Sequence, residues 1–408
     1  MVEKIVITGC GTISPLGLTT KDSWDNLIQG KSGVQEITRF NTANYRSKIG
    51  AQLPEKNIFS DYDKTVRIDR IAQYALAAAD EAIQDSGLSE SNDFSNTGVI
   101  LGSGLGGIFF AESQLINLYQ KGPFSVHPLT VPNVNPNAIS TIIAKRWQCF
   151  GPNMTISTAC ASSAHAIGQG LDLIRMNRAE RVIVGGAESP LMPMTYAGFN
   201  SLRVMSKKND TPEMASRPFD KKRDGFVMGE GAAILILEKE SMARKRNATI
   251  YAELAGYGAS NGGFHAVAPI ESGDDAALAI KGALKDAKLN PHDIDYINAH
   301  GTSTVANDVA ETNAIKHALN GHSGSVHISS TKSQTGHLVG AAGALEAVFT
   351  SLSISKKVEP ATMNLSVSDE KCDLDYIPNQ PRERCIKAAL SNSFGFGNNN
   401  AVLAFKSI

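Results

Sequence analysis

Asp85-Ser86-Gly87-Leu88 closes an alanine-rich run that starts at Ala72, and Asp286-Ala287-Lys288-Leu289 closes a second that starts at Ala276. In both runs apolar residues recur at three- and four-residue spacing, the mark of an amphipathic helix, and a polar link then leads to a strand. A second pair repeats in the same order. Gly225-Phe226-Val227-Met228-Gly229 enters the apolar stretch Ala232 to Leu237, and Gly395-Phe396-Gly397 enters Ala401 to Phe405. Two echoes in one order suggest a duplicated unit, the alternative being chance similarity between ordinary α/β segments. The border falls near residue 250, which gives an N-terminal half over 1–250 and a C-terminal half over 251–408.

Outward from these repeats, helical periodicity alternates with short β-rich runs, the pattern of an α/β protein with buried sheet. Strands are expected at 5–8, 97–101, 181–184, 233–237, 296–298, 326–329 and 401–405. Helices are expected at 70–85, 161–176, 275–287, 308–318 and 340–353. The chain has 408 residues, 42% hydrophobic and 19% charged, with a net charge of -1. That is enough chain for a large core, and no long basic run argues for nucleic-acid binding. No apolar stretch approaches the roughly 18 residues of a membrane span. Met1 to Lys4 leads straight into strand-like Ile5 to Thr8, unlike a secretory signal. The five cysteines, at 10, 149, 160, 372 and 385, show no Cys-x-x-Cys spacing. A reduced, cytoplasmic setting is expected, without disulfides or zinc.

Three residues carry the chemistry. Cys160, in Ser157-Thr158-Ala159-Cys160-Ala161-Ser162-Ser163, sits where a polar turn gives way to a helix, and a helix start stabilises a thiolate. His300 lies in His300-Gly301-Thr302-Ser303-Thr304, and His337 ends Thr331-Lys332-Ser333-Gln334-Thr335-Gly336-His337. A lone cysteine is more often a buried structural residue, and a lone histidine near glycine a turn residue. Together the three form a chemically complete set: a thiolate takes an acyl group from a thioester, and neutral imidazoles hold the enolate of a second partner.

At these motifs the chain resembles the β-ketoacyl-acyl carrier protein synthases, the elongating type II enzymes most closely. The likeness runs through Val6-Ile7-Thr8-Gly9-Cys10-Gly11, Thr158 to Ser163, Ser216-Arg217-Pro218-Phe219-Asp220, Asn298-Ala299-His300-Gly301-Thr302, Thr331-Lys332-Ser333 and Ser391-Asn392-Ser393-Phe394-Gly395-Phe396-Gly397. The resemblance implies a thiolase-like fold of two similar halves in α-β-α-β-α layers, usually a homodimer. It implies that Cys160 carries an acyl chain brought by acyl carrier protein, while His300 and His337 stabilise the enolate formed as malonyl carrier protein loses carbon dioxide. Backbone N–H groups of Cys160 and Phe396 would form the oxyanion hole, and Lys332 would hold the histidine loop with Glu311 as its counter-charge. Thr302 and Thr304 would bind the phosphopantetheine arm that arrives on the carrier, Phe394 and Phe396 would gate the site, and Ile108 would shorten the acyl tunnel. Asn298, Glu346, Ser391 and Asn392 match positions that hold a structural monovalent cation, Na+ or K+; no cofactor is needed for catalysis.

An acidic carrier implies a basic docking patch. Lys64, Arg67 and Arg70 are spaced to share a helix face, and Arg203, Lys207 and Lys208 fall in a loop that the family places nearby. Where the family reads Gly-Phe-Gly-Gly-Thr-Asn, this chain has Gly395-Phe396-Gly397-Asn398-Asn399-Asn400, a departure that bears on the gate. Gly102-Ser103-Gly104-Leu105-Gly106-Gly107 fits a loose dinucleotide-binding spelling, but no ribose-binding acid follows about 20 residues on. The rival readings are a specialised polyketide or polyene ketosynthase, a non-catalytic partner subunit that shapes another enzyme's pocket, and a dehydrogenase resting on the glycine run alone.

Overall fold

The computed structural model describes residues 3–54, 68–89 and 92–408. Ten strands form one sheet. In chain order they are β1 (Ile5–Ile13), β2 (Thr97–Gly102), β3 (Asn153–Ile156), β4 (Arg181–Glu188), β5 (Gly231–Lys239), β6 (Ala252–Asn261), β7 (Tyr296–Asn298), β8 (His327–Ser329), β9 (Ala388–Gly395) and β10 (Asn399–Lys406). Across the sheet they lie β3-β2-β4-β5-β1-β6-β10-β9-β7-β8. From the central β1·β6 pair outward, the two sides repeat the same order. They also repeat the same directions. β1·β5 and β6·β10 are antiparallel, as are β4·β5 and β9·β10, while the outer pairs on both sides are parallel. The fold is therefore two similarly built halves meeting at an antiparallel contact, Val6 opposite Glu253 and Ile7 opposite Ala252.

The helical echo of the sequence has a physical basis here. Helix α1 (Arg70–Asp85) lies on β1 and α5 (Asp274–Ala287) on β6. Each strand carries a Gly-x-Gly over which the helix backbone passes at contact distance. A Cβ on Gly11 would sit 1.9 Å from Ala78 O, and one on Gly258 would sit 2.1 Å from Ala279 O. At the close of each helix an aspartate accepts from the N–H between those glycines, Cys10 N–H to Asp85 at 2.8 Å and Tyr257 N–H to Asp286 at 2.9 Å. These aspartates are the first residues of the two repeated tetrapeptides.

Between the halves run α3 (Ser162–Arg175) and α7 (Ala342–Lys356), packed on each other and on both sides of the sheet. Strand alternation feeds three layers of core at once. On β5, Leu235 and Leu237 join the central core with α3 and α7, while Ile234 and Ile236 face α1. On β10, Leu403 and Phe405 face the centre, and Val402 and Ala404 face α5 and α6 (Val305–Leu319). Residues 342–354 of α7 are all buried, which is why its sequence shows no polar face. The remaining helices needed below are α2 (Ile108–Lys121) and α4 (Pro193–Leu202).

Candidate active site

Cys160 sits in the tight turn before α3, where Ala159 has φ 52° and Ser162 Oγ accepts from Thr158 N–H. The sulfur faces the backbone N–H groups of Phe396 and of Cys160 itself. That approach depends on Gly395, since a Cβ there would lie 2.7 Å from Thr158 O and 3.2 Å from Cys160 N. The expectation of a resting thiolate is not met. Burial, opposed by the Lys332 charge and the two N–H groups, pushes the thiol up to about 11. The helix start therefore aids the anion only once it forms, and a sulfur this deep is neutral at rest.

His300 follows β7, and its backbone N–H and that of Gly301 donate to Glu311 at 2.8 and 2.7 Å. His337 enters from the turn before α7, its N–H donating to Val227 O at 2.7 Å. The two rings meet edge to face at 5.3 Å, and Phe226 closes on His337 at 5.4 Å. Burial first, then the Lys332 charge, holds both imidazoles well below their ordinary value, so both are neutral. Lys332, itself buried, donates to His300 O at 2.6 Å and approaches His300 Nδ1 at 3.4 Å. An Nδ1 that faces an ammonium accepts, so the ring proton is on Nε2.

One assignment is corrected. The counter-charge of Lys332 is Glu346 on α7, not Glu311. Glu311 is unavailable because its oxygens already accept from the His300 and Gly301 N–H groups and from Asn392 Nδ2. Its role is to hold the His300 turn.

Cys160, His300 and His337 line one cavity of about 290 Å³, together with Thr302, Thr304, Phe394 and Phe396. The threonine hydroxyls are 2.9 Å apart, and Thr304 also caps α6 by accepting from Asn307 N–H. Phe394 lies 5.9 Å from His300, and Phe396 lies 6.3 Å from Phe199. Sequence reasoning missed Phe199, Val204 and the segment 265–270, which form the opposite wall. Phe226, part of a repeated motif, lines the cavity as well. Ile108 is not part of this wall; it opens α2, beyond the glycine run that precedes it.

The glycine run binds a carboxylate of the protein itself. Glu188, buried at the end of β4, accepts from Ser103 Oγ and from the N–H groups of Gly104, Leu105 and Gly340. Burial raises it to about 7. With that carboxyl occupying its N–H groups, the loop is no dinucleotide cradle.

Asn298, Ser391 and Asn392 sit together, Asn298 and Ser391 being partners in the β7·β9 register. Asn298 Nδ2 lies 3.4 Å from the Glu346 carbonyl. Asn298 Oδ1, Glu346 Oε2, Ser391 Oγ and Asn392 Oδ1 are all buried oxygens without a hydrogen-bond partner. Burial raises Glu346 to about 7, with the Glu311 charge adding to that shift, and burial raises Glu311 to about 6. An all-oxygen set with more carboxylate than lysine fits a hard cation.

The docking residues divide. Lys64 and Arg67 lie outside the described residues. Arg70 is the first residue of α1, capped by Asp69. Arg70 covers the Phe109 ring at 4.8 Å. Arg203 ends α4 in the left-handed region and is exposed, as is Lys207, whereas Lys208 is half-buried. Val204, next to Arg203, lines the cavity.

A layered fold with a buried cysteine and two neutral histidines in one cavity defines a thiolase-like acyltransferase. The chain belongs to the beta-ketoacyl synthase family: its N-terminal domain matches residues 2–243 and its C-terminal domain residues 251–366. It is 44% identical over 408 residues to a 3-oxoacyl-[acyl-carrier-protein] synthase 2 of a Synechocystis species, covering 99% of this chain and 98% of that one. The same enzyme of Coxiella burnetii is 42% identical over 409 residues, covering 100% and 99%. A beta-ketoacyl synthase from Burkholderia phymatum superposes with a TM-score of 0.93 at 34% identity over the whole of both chains. A type II polyketide ketosynthase, solved with its acyl carrier protein and bound to a hexaketide, matches as well, at 0.93 and 34% over the whole of both chains.

Proposed function

We propose that this enzyme extends fatty acyl chains by decarboxylative condensation, joining an acyl group on Cys160 to malonyl-acyl carrier protein. The meeting of Cys160, His300 and His337 on one cavity carries the reading. In the first half-reaction the sulfur bonds to the thioester carbonyl, and the carbon–sulfur bond to the pantetheine breaks. The oxyanion formed on the way accepts from the N–H groups of Cys160 and Phe396. The cysteine's proton ends on the departing pantetheine sulfur, so the transfer is neutral overall and suits a thiol that is protonated at rest.

In the second half-reaction the malonyl carbon–carboxylate bond breaks, releasing carbon dioxide and leaving an enolate. The His300 Nε2–H and the His337 ring N–H stabilise its oxygen without a full proton transfer. The enolate carbon attacks the acyl carbonyl, the carbon–sulfur bond to Cys160 breaks with its electron pair left on the sulfur, which takes a proton from water to restore the thiol, and a 3-oxoacyl-carrier longer by two carbons leaves. Lys332 serves by keeping the imidazoles neutral and fixing the His300 tautomer. Curated relatives at 41–44% identity carry the name 3-oxoacyl-[acyl-carrier-protein] synthase 2, against 34% for the polyketide ketosynthase, which favours fatty acid elongation over the polyketide alternative. The intact triad speaks against a non-catalytic partner. Intact-mass measurement with acyl carrier proteins of several chain lengths tests all of this. Wild type should gain one acyl mass and Cys160→Ala none, and an acylated Cys160→Ala would end the proposal.

Four further parts belong to this proposal. Acyl carrier protein docks at the mouth beside Val204, where Arg203 and Lys207 are exposed, with Lys208 behind them. A structural Na+ or K+ is held by Asn298, Glu346, Ser391 and Asn392, neutralising carboxylate that Lys332 alone leaves in excess. Two copies pair through β3, which is one of the two edges of the sheet. Exposed Tyr119, Phe124, Val131, Phe150 and Met154 accompany that edge in the same region of the chain, an apolar surface of the kind that oligomers cover. A reduced cytoplasmic location agrees with five free cysteines, and among the described residues no helix is long and apolar enough to cross a membrane.

A further inference from the structure

The segment Gly397-Asn398-Asn399-Asn400 is stitched to segment 261–275 by side chains as well as backbone. Gly397 N–H donates to Ala266 O at 2.9 Å, and Gly262 N–H donates to Asn398 O at 3.1 Å. The Asn398 carboxamide grips the facing backbone with both of its ends. Its Nδ2 donates to Ala268 O at 3.2 Å, and its Oδ1 accepts from His265 N–H at 3.3 Å. From the other side Asn261 Nδ2 donates to Gly397 O at 3.1 Å, and Asn400 Nδ2 donates to Asp275 Oδ2 at 2.9 Å.

Both stitched segments are walls of the Cys160 cavity. Phe396, Asn398 and Asn400 stand on one side, with 265–270 facing them. Asn398 is buried and has φ 57°, a conformation that asparagine reaches more readily than other residues with a side chain. Two residues before it, the Phe396 N–H points at the Cys160 sulfur. A glycine at 398 would permit the same turn yet lose both side-chain bonds to the 265–268 backbone, leaving Gly397 N–H to Ala266 O as the backbone bond to that stretch.

We propose that Asn398 is a positioning residue for the acylation step: its carboxamide clips the 265–268 backbone and thereby aims the Phe396 N–H at Cys160. This deepens the reading of Cys160 as acyl acceptor and rests on it. Misplacing a reacting group by an ångström lowers a rate by roughly 100-fold, so a partly freed turn costs about tenfold or more in acylation. The decarboxylation half-reaction uses His300 and His337, which the clip does not touch.

Asn398→Gly isolates the side chain, because glycine accepts the left-handed backbone without strain. Three readouts are taken on the full-length protein: single-turnover acylation of Cys160 by an acyl carrier protein thioester, decarboxylation of malonyl carrier protein, and iodoacetamide alkylation at the Cys160 peptide. The expected result is acylation slower by about tenfold, decarboxylation near wild type, and faster alkylation because the sulfur is less covered. Asn261→Ala, which removes a stitch from the opposite side, should slow acylation and speed alkylation by less, again with decarboxylation near wild type, and it decides the matter if Asn398→Gly does not fold. Wild-type acylation in both variants would overturn the proposal. So would an equal fall of both half-reactions together with the thermal midpoint, which would make the clip merely structural. Failure of the wild-type protein to acylate would count against the condensation reading instead, and the alkylation arm would still test the clip.

Discussion

Gly395→Ala separates the two half-reactions by a purely steric route. Gly395 has φ -100° and ψ 160°, extended backbone that alanine adopts freely, so no conformational strain enters. The added methyl would lie 2.7 Å from Thr158 O and 3.2 Å from both Cys160 N and Ala161 N. These are backbone atoms of the turn that presents the sulfur, and they cannot swing aside like a long side chain. Relief to ordinary contact takes a separation of roughly 0.5 Å or more between β9 and that turn. The displacement falls on the Phe396 N–H, the next residue along, and an oxyanion donor works only within about 2.7–3.1 Å of its target. Losing one such donor costs about 10²–10³ in rate, or about 2.7–4 kcal/mol. Rapid-quench acylation of Cys160 followed by intact mass should therefore slow by about 100-fold or more. Malonyl decarboxylation should stay near wild type, since His300 and His337 hang from other loops. Acylation at the wild-type rate would refute both the assignment of Phe396 N–H and the steric reasoning behind it.

Other outcomes follow from the same geometry. His300→Ala and His337→Ala should each abolish most malonyl decarboxylation, by about 100-fold, while leaving Cys160 acylation measurable by mass; normal decarboxylation in both would remove the enolate assignment. Because the Cys160 thiol is pushed up to about 11, its alkylation rate should keep climbing from pH 7 through pH 10 without a plateau, and a plateau near pH 8 would show a thiolate already formed at rest. Lys332→Met leaves Glu346 buried without its cation, at a cost of about 3–5 kcal/mol. Glu346 has a folded-state value raised to about 7 even with Lys332 present, so the folded variant binds that proton more tightly than the unfolded chain does. Its stability deficit in denaturant titrations should accordingly be larger at pH 8 than at pH 6. Finally, exchanging K+ or Na+ for tetramethylammonium should lower the thermal midpoint of wild type, and Glu346→Gln should remove that difference.

The fold was legible where local pattern and packing agree. The tetrapeptides at 85 and 286 were recognised as repeats, and each carries the aspartate that accepts from the N–H between a strand's two glycines. The Gly-x-Gly of β1 and β6, which permits that approach, went unread because alternate glycines in a strand carry no apolar signal. β3, β6 and β9 were missed for a similar reason: Asn153, Ser260, Ser391 and Asn392 are polar strand residues whose role is in the site or at an edge, not in the core. Of the site, the residues that chemistry marks were found, since Cys160 and both histidines stand in unusual local sequence. The pairing of Lys332 with Glu346 rather than Glu311 could not be read. Both acids come from helices that follow the motifs, and only the packing of α7 between the halves decides which one faces the lysine.

The repetition of the halves also accounts for why the chemistry falls where it does. Cys160 lies between β3 and α3, and His337 lies between β8 and α7, corresponding positions in the two halves. The loops after β2 and β7 correspond as well, and both are drawn tight by a buried glutamate accepting successive N–H groups: Glu188 for Gly104 and Leu105, Glu311 for His300 and Gly301. In the second half that loop presents an imidazole. In the first it presents glycines, and a Cβ on Gly104 would already stand 3.1 Å from Glu188 and 3.2 Å from Val339. One loop design thus presents an imidazole to the cavity in the second half, and in the first it packs glycines around a buried carboxyl outside the cavity lining. The cavity accordingly takes its sulfur from the first half and both imidazoles from the second, so an acyl group beside Cys160 and an enolate beside His300 and His337 meet only where the two halves join.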